Sequence, residues 1–197
     1  MDAFIASGAT ALAALIAASV AHRDLNLPLA PLFACLGAAL LLTGLAFGAA
    51  FTPVAMLVIV SALIVETDRR HHLIPDAAVI ALLLIAIALP LDTSLEQRLI
   101  GGAFLGVLFL AVREFGGRIR GVEALGLGDV KLAAAIGFLL GPTDGALTVA
   151  LAGAATLVAV FAARWASHAA ITLTGAPFGI GLAAAMAVVA LARVATP

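Results

Sequence analysis

The sequence predicts an all-α, polytopic integral membrane protein with about eight transmembrane helices. Of its 197 residues, 64% are hydrophobic and only 11% are charged, and the mean hydropathy is +1.25. A soluble globular domain has about half apolar and about a quarter charged residues. The apolar residues also form runs that approach the ~20 residues a helix needs to cross the bilayer core. The net charge of -1, with no basic tract, gives no indication of nucleic-acid binding.

The apolar runs predict the helices in chain order. The first run starts with Asp2 and has no Lys or Arg before it, so we interpret it as a retained helix and not as a secretory signal. We expect residues 1–197 to form a single membrane-embedded domain without internal repeats. The eight predicted spans are 3–21, 29–48, 51–67, 76–91, 98–112, 129–141, 145–164 and 177–195.

Two proline-containing stretches mark helix boundaries. Pro75 followed by Asp76 is typical of a helix start, with a proline in the first turn and an acid near the positive end of the helix dipole. The stretch "TGAPFGIGL" (174–182) indicates a broken helix end. It forms either a simple turn or one wall of a site.

The distribution of Lys and Arg predicts the orientation of the chain, because cytoplasmic loops are enriched in both. With eight alternating spans, eight of the ten basic residues fall on one side and two, Arg98 and Arg193, on the other. The first side is therefore expected to be cytoplasmic. Its basic residues are Arg23, Arg69, Arg70, Arg113, Arg118, Arg120, Lys131 and Arg164.

Two aspartates lie where an apolar run meets a polar loop on the predicted cytoplasmic side. Asp68 ends the third run, and Asp129 opens the sixth. A charge at the centre of a membrane helix costs about 2.5–3.5 kcal/mol, and less at its boundary. Each aspartate alone is therefore compatible with an ordinary interfacial charge. Together they are candidates for a catalytic pair that activates water and protonates a leaving group.

The residues around Asp129 support a site. Gly126 and Gly128 lack Cβ atoms and would let another backbone approach, although glycine also packs membrane helices. Lys131 either extends to the interface or tunes the charge of Asp129.

Other polar side chains are weaker candidates. Glu66 and Glu123 rank below the two aspartates. His71 and His72 are adjacent and show no metal-ligand spacing, and Cys35 is the single cysteine. We therefore expect no metal site.

Three blocks together resemble the prepilin peptidases, the type IV leader peptidases among the GxGD membrane aspartic proteases. "TDRRHHLIPD" is similar to their first block, "GLGDVKLAAAIGFLLG" to their second, and "APFGIGLAAA" to their closing block. The resemblance covers about residues 55–190. Ile180 stands where the family often has proline. The lone cysteine indicates a short form without the N-terminal cysteine-rich domain.

The resemblance implies the site and the reaction. Asp68 and Asp129 would be catalytic, with Gly126, Gly128 and Lys131 completing the second block, and Pro177, Phe178 and Gly179 matching the closing block. The activity would be aspartic endopeptidase cleavage of the basic leader of type IV prepilins or type II secretion pseudopilins, in the bacterial inner membrane near the cytoplasmic face. No cofactor is expected, except S-adenosylmethionine if the product is also methylated.

A different class of function is the alternative. A small transporter, or a non-catalytic pilus or secretion assembly factor, could use the paired acids to bind a cation or a proton. The absence of an internal repeat and the position of the acids near the interface favour the peptidase.

Overall fold

The computed structural model describes residues 52–89, 91–121, 125–167 and 178–195, and all regular structure in these ranges is α-helical. The five helices are α1 (Thr52–His71), α2 (Asp76–Ala88), α3 (Leu95–Arg120), α4 (Leu127–Ser167) and α5 (Phe178–Ala195). The all-α prediction is therefore confirmed for these residues. The predicted spans 3–21 and 29–48 lie outside them.

The helices follow the predicted spans with shifted boundaries. α1, α2 and α5 begin within one residue of the predicted starts. The spans 129–141 and 145–164 form one run, α4, which is interrupted at Gly141. Two segments, Leu95–Ile119 and Leu127–Ala162, are long and apolar enough to cross a membrane, with mean hydropathies of 1.7 and 2.1. The number of eight transmembrane helices stays a prediction.

α3 is longer than its predicted span of 98–112 because specific residues cap both of its ends. Ser94 and Gln97 form a reciprocal capping box, in which each side chain bonds the backbone N–H of the other at 3.2 Å. At the other end the helix continues past Arg113 and stops where Gly121 adopts a left-handed conformation with φ 69°.

Gly141 and Pro142 produce the break in α4. Gly141 has φ 79° and ψ -179°, a conformation that favours glycine. Pro142 lacks the N–H needed inside a helix but is well suited to its first turn. The second half of α4 therefore starts as a new helix in a changed direction.

α4 is the central element, since it packs against α3, α5 and α2, while α1 packs against α5 and α2. Its crossing with α3 is close because both helices have glycines at the contact. A Cβ at Gly101 would overlap the carbonyl oxygen of Gly137 and would lie 2.8 Å from the nitrogen of Pro142. Small residues allow membrane helices to approach in this way.

Ion pairs join α4 to two other helices, one near its start and one just beyond its break. Near its start, Lys131 binds Asp76 at the start of α2, with 2.6 Å between Nζ and Oδ1. Beyond the break, Asp144 binds Arg193 near the end of α5, at 2.5 Å from Nε and 2.6 Å from Nη2. This pair joins the second part of α4 to α5.

We expect Gly137→Ala to lower the thermal stability of the purified protein in detergent. Its new methyl group would meet the backbone of α3, and overpacking typically costs about 1–3 kcal/mol. Gly153→Ala is the matched control in the same helix, since a Cβ there meets nothing within 4 Å. It should be neutral or slightly stabilising, because alanine is the better helix former. Equal melting temperatures for the two variants would contradict the close crossing.

Candidate active site

Asp68 is a buried carboxylate in the last turn of α1. Its side chain is only 8% exposed, and the backbone N–H of Ile180, in the first turn of α5, points toward it as a donor. Its Oδ2 atom has no hydrogen-bond donor among the residues that the structure describes. An unsatisfied buried polar atom costs about 1–3 kcal/mol, so this oxygen is where a water or substrate group would gain most by binding.

Burial also raises the pKa of the Asp68 carboxyl, which lies just beyond the predicted span 51–67. Desolvation disfavours the charged form of an acid. The Ile180 N–H and the charge of the nearby His72 act in the opposite direction. The protonated form of Asp68 therefore persists to higher pH than in an exposed aspartate.

The start of α5 forms one wall of the site through Gly179. A Cβ at this position would lie 2.8 Å from Oδ2 and 3.1 Å from Cγ of Asp68. Both distances are shorter than an ordinary van der Waals contact. The preceding Phe178 packs against Phe109 of α3, with ring centroids 6.0 Å apart. A larger residue at 179 would therefore displace the Asp68 carboxylate from its present position. Pro177 lies outside the described residues.

Asp129 occupies the third position of α4, where an acid can reach back to the capping residue. The N–H of Gly126, immediately before the helix, donates to its carboxylate. The positive end of the helix dipole also favours negative charge there. The charge of Asp68 acts on Asp129, so the structure brings the two predicted aspartates close enough to repel each other when both are ionised.

Ile74 contacts both Gly128 and Gly179, and no role was predicted for it from the sequence. It lies in the connection between α1 and α2 and is 9% exposed. A Cβ at Gly128 would lie 3.0 Å from Cβ of Ile74, and a Cβ at Gly179 would lie 3.1 Å from its Cδ1. The sequence did carry one signal of a buried role, a large apolar residue beside Pro75 in an otherwise polar connection.

Lys131 does not act on Asp129 by direct pairing, because its amine binds Asp76. Both side chains are exposed, so the pair contributes little stability of its own. It does connect the start of α4 to the start of α2. α2 begins at Asp76 with Pro75 as its capping residue, so the helix start predicted there is confirmed.

The other candidate acids are not shown to take part in this site. Glu66 accepts hydrogen bonds from Arg69 and Arg70 on its own helix, and Glu123 lies outside the described residues. Among the residues that the structure describes, no three His, Cys, Asp or Glu side chains are grouped as metal ligands would be.

A cavity of 660 Å³ lies at the other end of the bundle, beside the break in α4. The connection 91–93, residues 140–144 and the end of α5 line it, including Asp144 and Arg193, which bind each other. Its lining includes Leu140 and Gly141, the last two residues of the second sequence block, but not Asp68, Asp129 or Gly179. We therefore place the candidate site at the aspartates and not at this cavity.

The protein is thus a helical protein with two segments suited to a membrane and a pair of acidic residues. The two carboxylates lie on separate helices, Asp68 beside Gly179 and Asp129 beside Gly128. The model of the type IV leader peptidase family matches residues 54–163. This is more than half of the chain and includes both aspartates. The chain therefore belongs to the type IV leader peptidase family. No curated protein and no solved structure matches it.

We expect Gly179→Ala to lower peptidase activity by about 10- to 100-fold, because a displacement of about 1 Å in a catalytic group has effects of this size. The added methyl group would press on Oδ2 of Asp68. Gly153→Ala is the matched control, since a Cβ there meets nothing within 4 Å.

The two variants are compared at equal protein levels in the membrane. Gly153→Ala should keep activity close to that of the wild type. A fully active Gly179→Ala variant would show that Asp68 does not need this wall.

Proposed function

We propose that the protein is an aspartic endopeptidase that removes the basic leader from type IV prepilins or type II secretion pseudopilins. The observation that carries this proposal is the buried, unsatisfied Oδ2 of Asp68 at a site where the charge of Asp68 acts on Asp129. Like charges at close range favour a pair that holds one proton, which is the state that hydrolysis requires.

The pair supplies both proton transfers of the reaction. The ionised carboxylate takes a proton from a water held between the two acids, and the water oxygen attacks the scissile carbonyl carbon. The protonated acid donates a hydrogen bond to the developing oxyanion. Collapse of the tetrahedral intermediate breaks the C–N bond, and the leaving amine takes a proton from the pair. Because the two groups are coupled, the proton belongs to the pair and not to one residue.

This chemistry uses water and two carboxyl groups and requires no metal or cofactor. S-adenosylmethionine would be needed only for methylation of the new amine, which is a separate activity.

The proposed location is the bacterial inner membrane, with several spans and the site near the cytoplasmic face. Two helical segments suited to a membrane and the family membership support a membrane protein. The aspartates lie at the same end of the bundle as Arg69, Arg70 and Lys131, the end that the distribution of basic residues assigns to the cytoplasm. A leader with a basic head and an apolar stem would be presented to the site by the lipid bilayer itself.

The test is co-expression of a prepilin-type substrate with the wild type, Asp68→Asn or Asp129→Asn, followed by mass spectrometry of the product. We expect a shortened product with the wild type and a loss of at least about 100-fold with either variant, because each acid has its own proton transfer to perform. An added methyl mass would reveal the second activity.

Asp92→Asn is the matched control, since Asp92 is exposed and lines the cavity at the other end. Cleavage by either active-site variant at wild-type level would contradict the paired mechanism. No cleavage by the wild type across several substrates would instead support the transporter or assembly-factor alternative, which proton-dependent uptake in vesicles would then test.

A further inference from the structure

Ile74 lies between Gly128, which precedes Asp129, and Gly179, which contacts Asp68. Its Cβ and Cγ1 face Gly128, where an added Cβ would lie at 3.0 Å and 3.4 Å, and its Cδ1 faces Gly179 at 3.1 Å. Gly128 immediately precedes Asp129, and Gly179 contacts Oδ2 of Asp68. One side chain therefore spans the distance between the backbone that carries Asp129 and the backbone that contacts Asp68.

The connection that carries Ile74 is held at both sides. On one side, the N–H of His72 donates to the carbonyl of Asp68 at 2.9 Å, and His72 has a left-handed φ of 52°. On the other, Asp76 binds Lys131, two residues after Asp129. These contacts restrain the connection, and with it Ile74, beside the two glycines.

We propose that Ile74 is a positioning residue that sets the separation between the Asp68 and Asp129 carboxyl groups. The inference rests on the proposed peptidase function. A close-packed interior transmits a change of even one methylene to its neighbours. A shorter side chain at position 74 would let the starts of α4 and α5 shift. Asp129 would move with α4, and the wall that Gly179 forms against the Asp68 carboxyl group would move with α5.

Ile74→Val tests this role because valine keeps Cβ and lacks the Cδ1 atom that faces Gly179. Ile85→Val is the control, since Ile85 is fully buried in α2 and loses the same methylene. We expect similar melting temperatures for the two variants. We expect about a tenfold or larger fall in kcat, with little change in KM, for Ile74→Val only, because misplacement of reacting groups acts on the chemical step.

Infrared titration of the aspartate carboxyl bands supplies a readout that does not depend on activity, with Asp68→Asn used to assign the bands. The spacing between the two titration steps of a coupled pair depends on their separation. It should change in Ile74→Val and stay as in the wild type in Ile85→Val.

Equal kcat values and equal titrations for the two valine variants would overturn the inference and leave the proposed function standing. If the wild type cleaves no substrate, the proposed function fails, and the titration alone decides the role of Ile74.

Discussion

A carboxylate buried at the end of an apolar helix must be stabilised by its neighbours, and Asp68 obtains this from the backbone of α5. The N–H of Ile180 points toward it, and Gly179 allows the approach because any Cβ would lie 2.8 Å from Oδ2. The start of α5 is therefore fixed against the end of α1. One carboxylate oxygen still lacks a donor within the described residues, which leaves a position where a reacting water or a substrate group can bind.

The three sequence blocks lie far apart in the chain, and the fold gives them one meeting point. α4 carries Asp129 in its first turn and packs against both α2 and α5, so this turn faces the connection that carries Ile74. The close α3–α4 crossing and the Arg193–Asp144 pair hold the other end of the bundle. Stability and site geometry thus depend on different glycines: Gly101 and Gly137 in one case, Gly128 and Gly179 in the other.

Local patterns were enough to predict the helices from residue 52 onward, because apolar runs, Pro75–Asp76 and the glycine-rich blocks are all short-range signals. The sequence also identified Asp68 and Asp129 as the unusual charges. It did not predict the extension of α3 to Arg120, which depends on the Gly121 cap, or the partner of Lys131, which lies 55 positions away in the chain. Ile74 was missed because its role exists only where three segments meet.

The most direct test of the central claim, that Asp68 and Asp129 form one site, is chemical cross-linking of cysteines at positions 68 and 129. Cys35, the only native cysteine, is first replaced by serine, and a short bifunctional thiol reagent is applied in membranes. Mass spectrometry should find the peptides of positions 68 and 129 joined, and a control pair at 68 and 144, placed at opposite ends of the bundle, should stay unlinked. Linkage of the control pair with none between 68 and 129 would contradict the account.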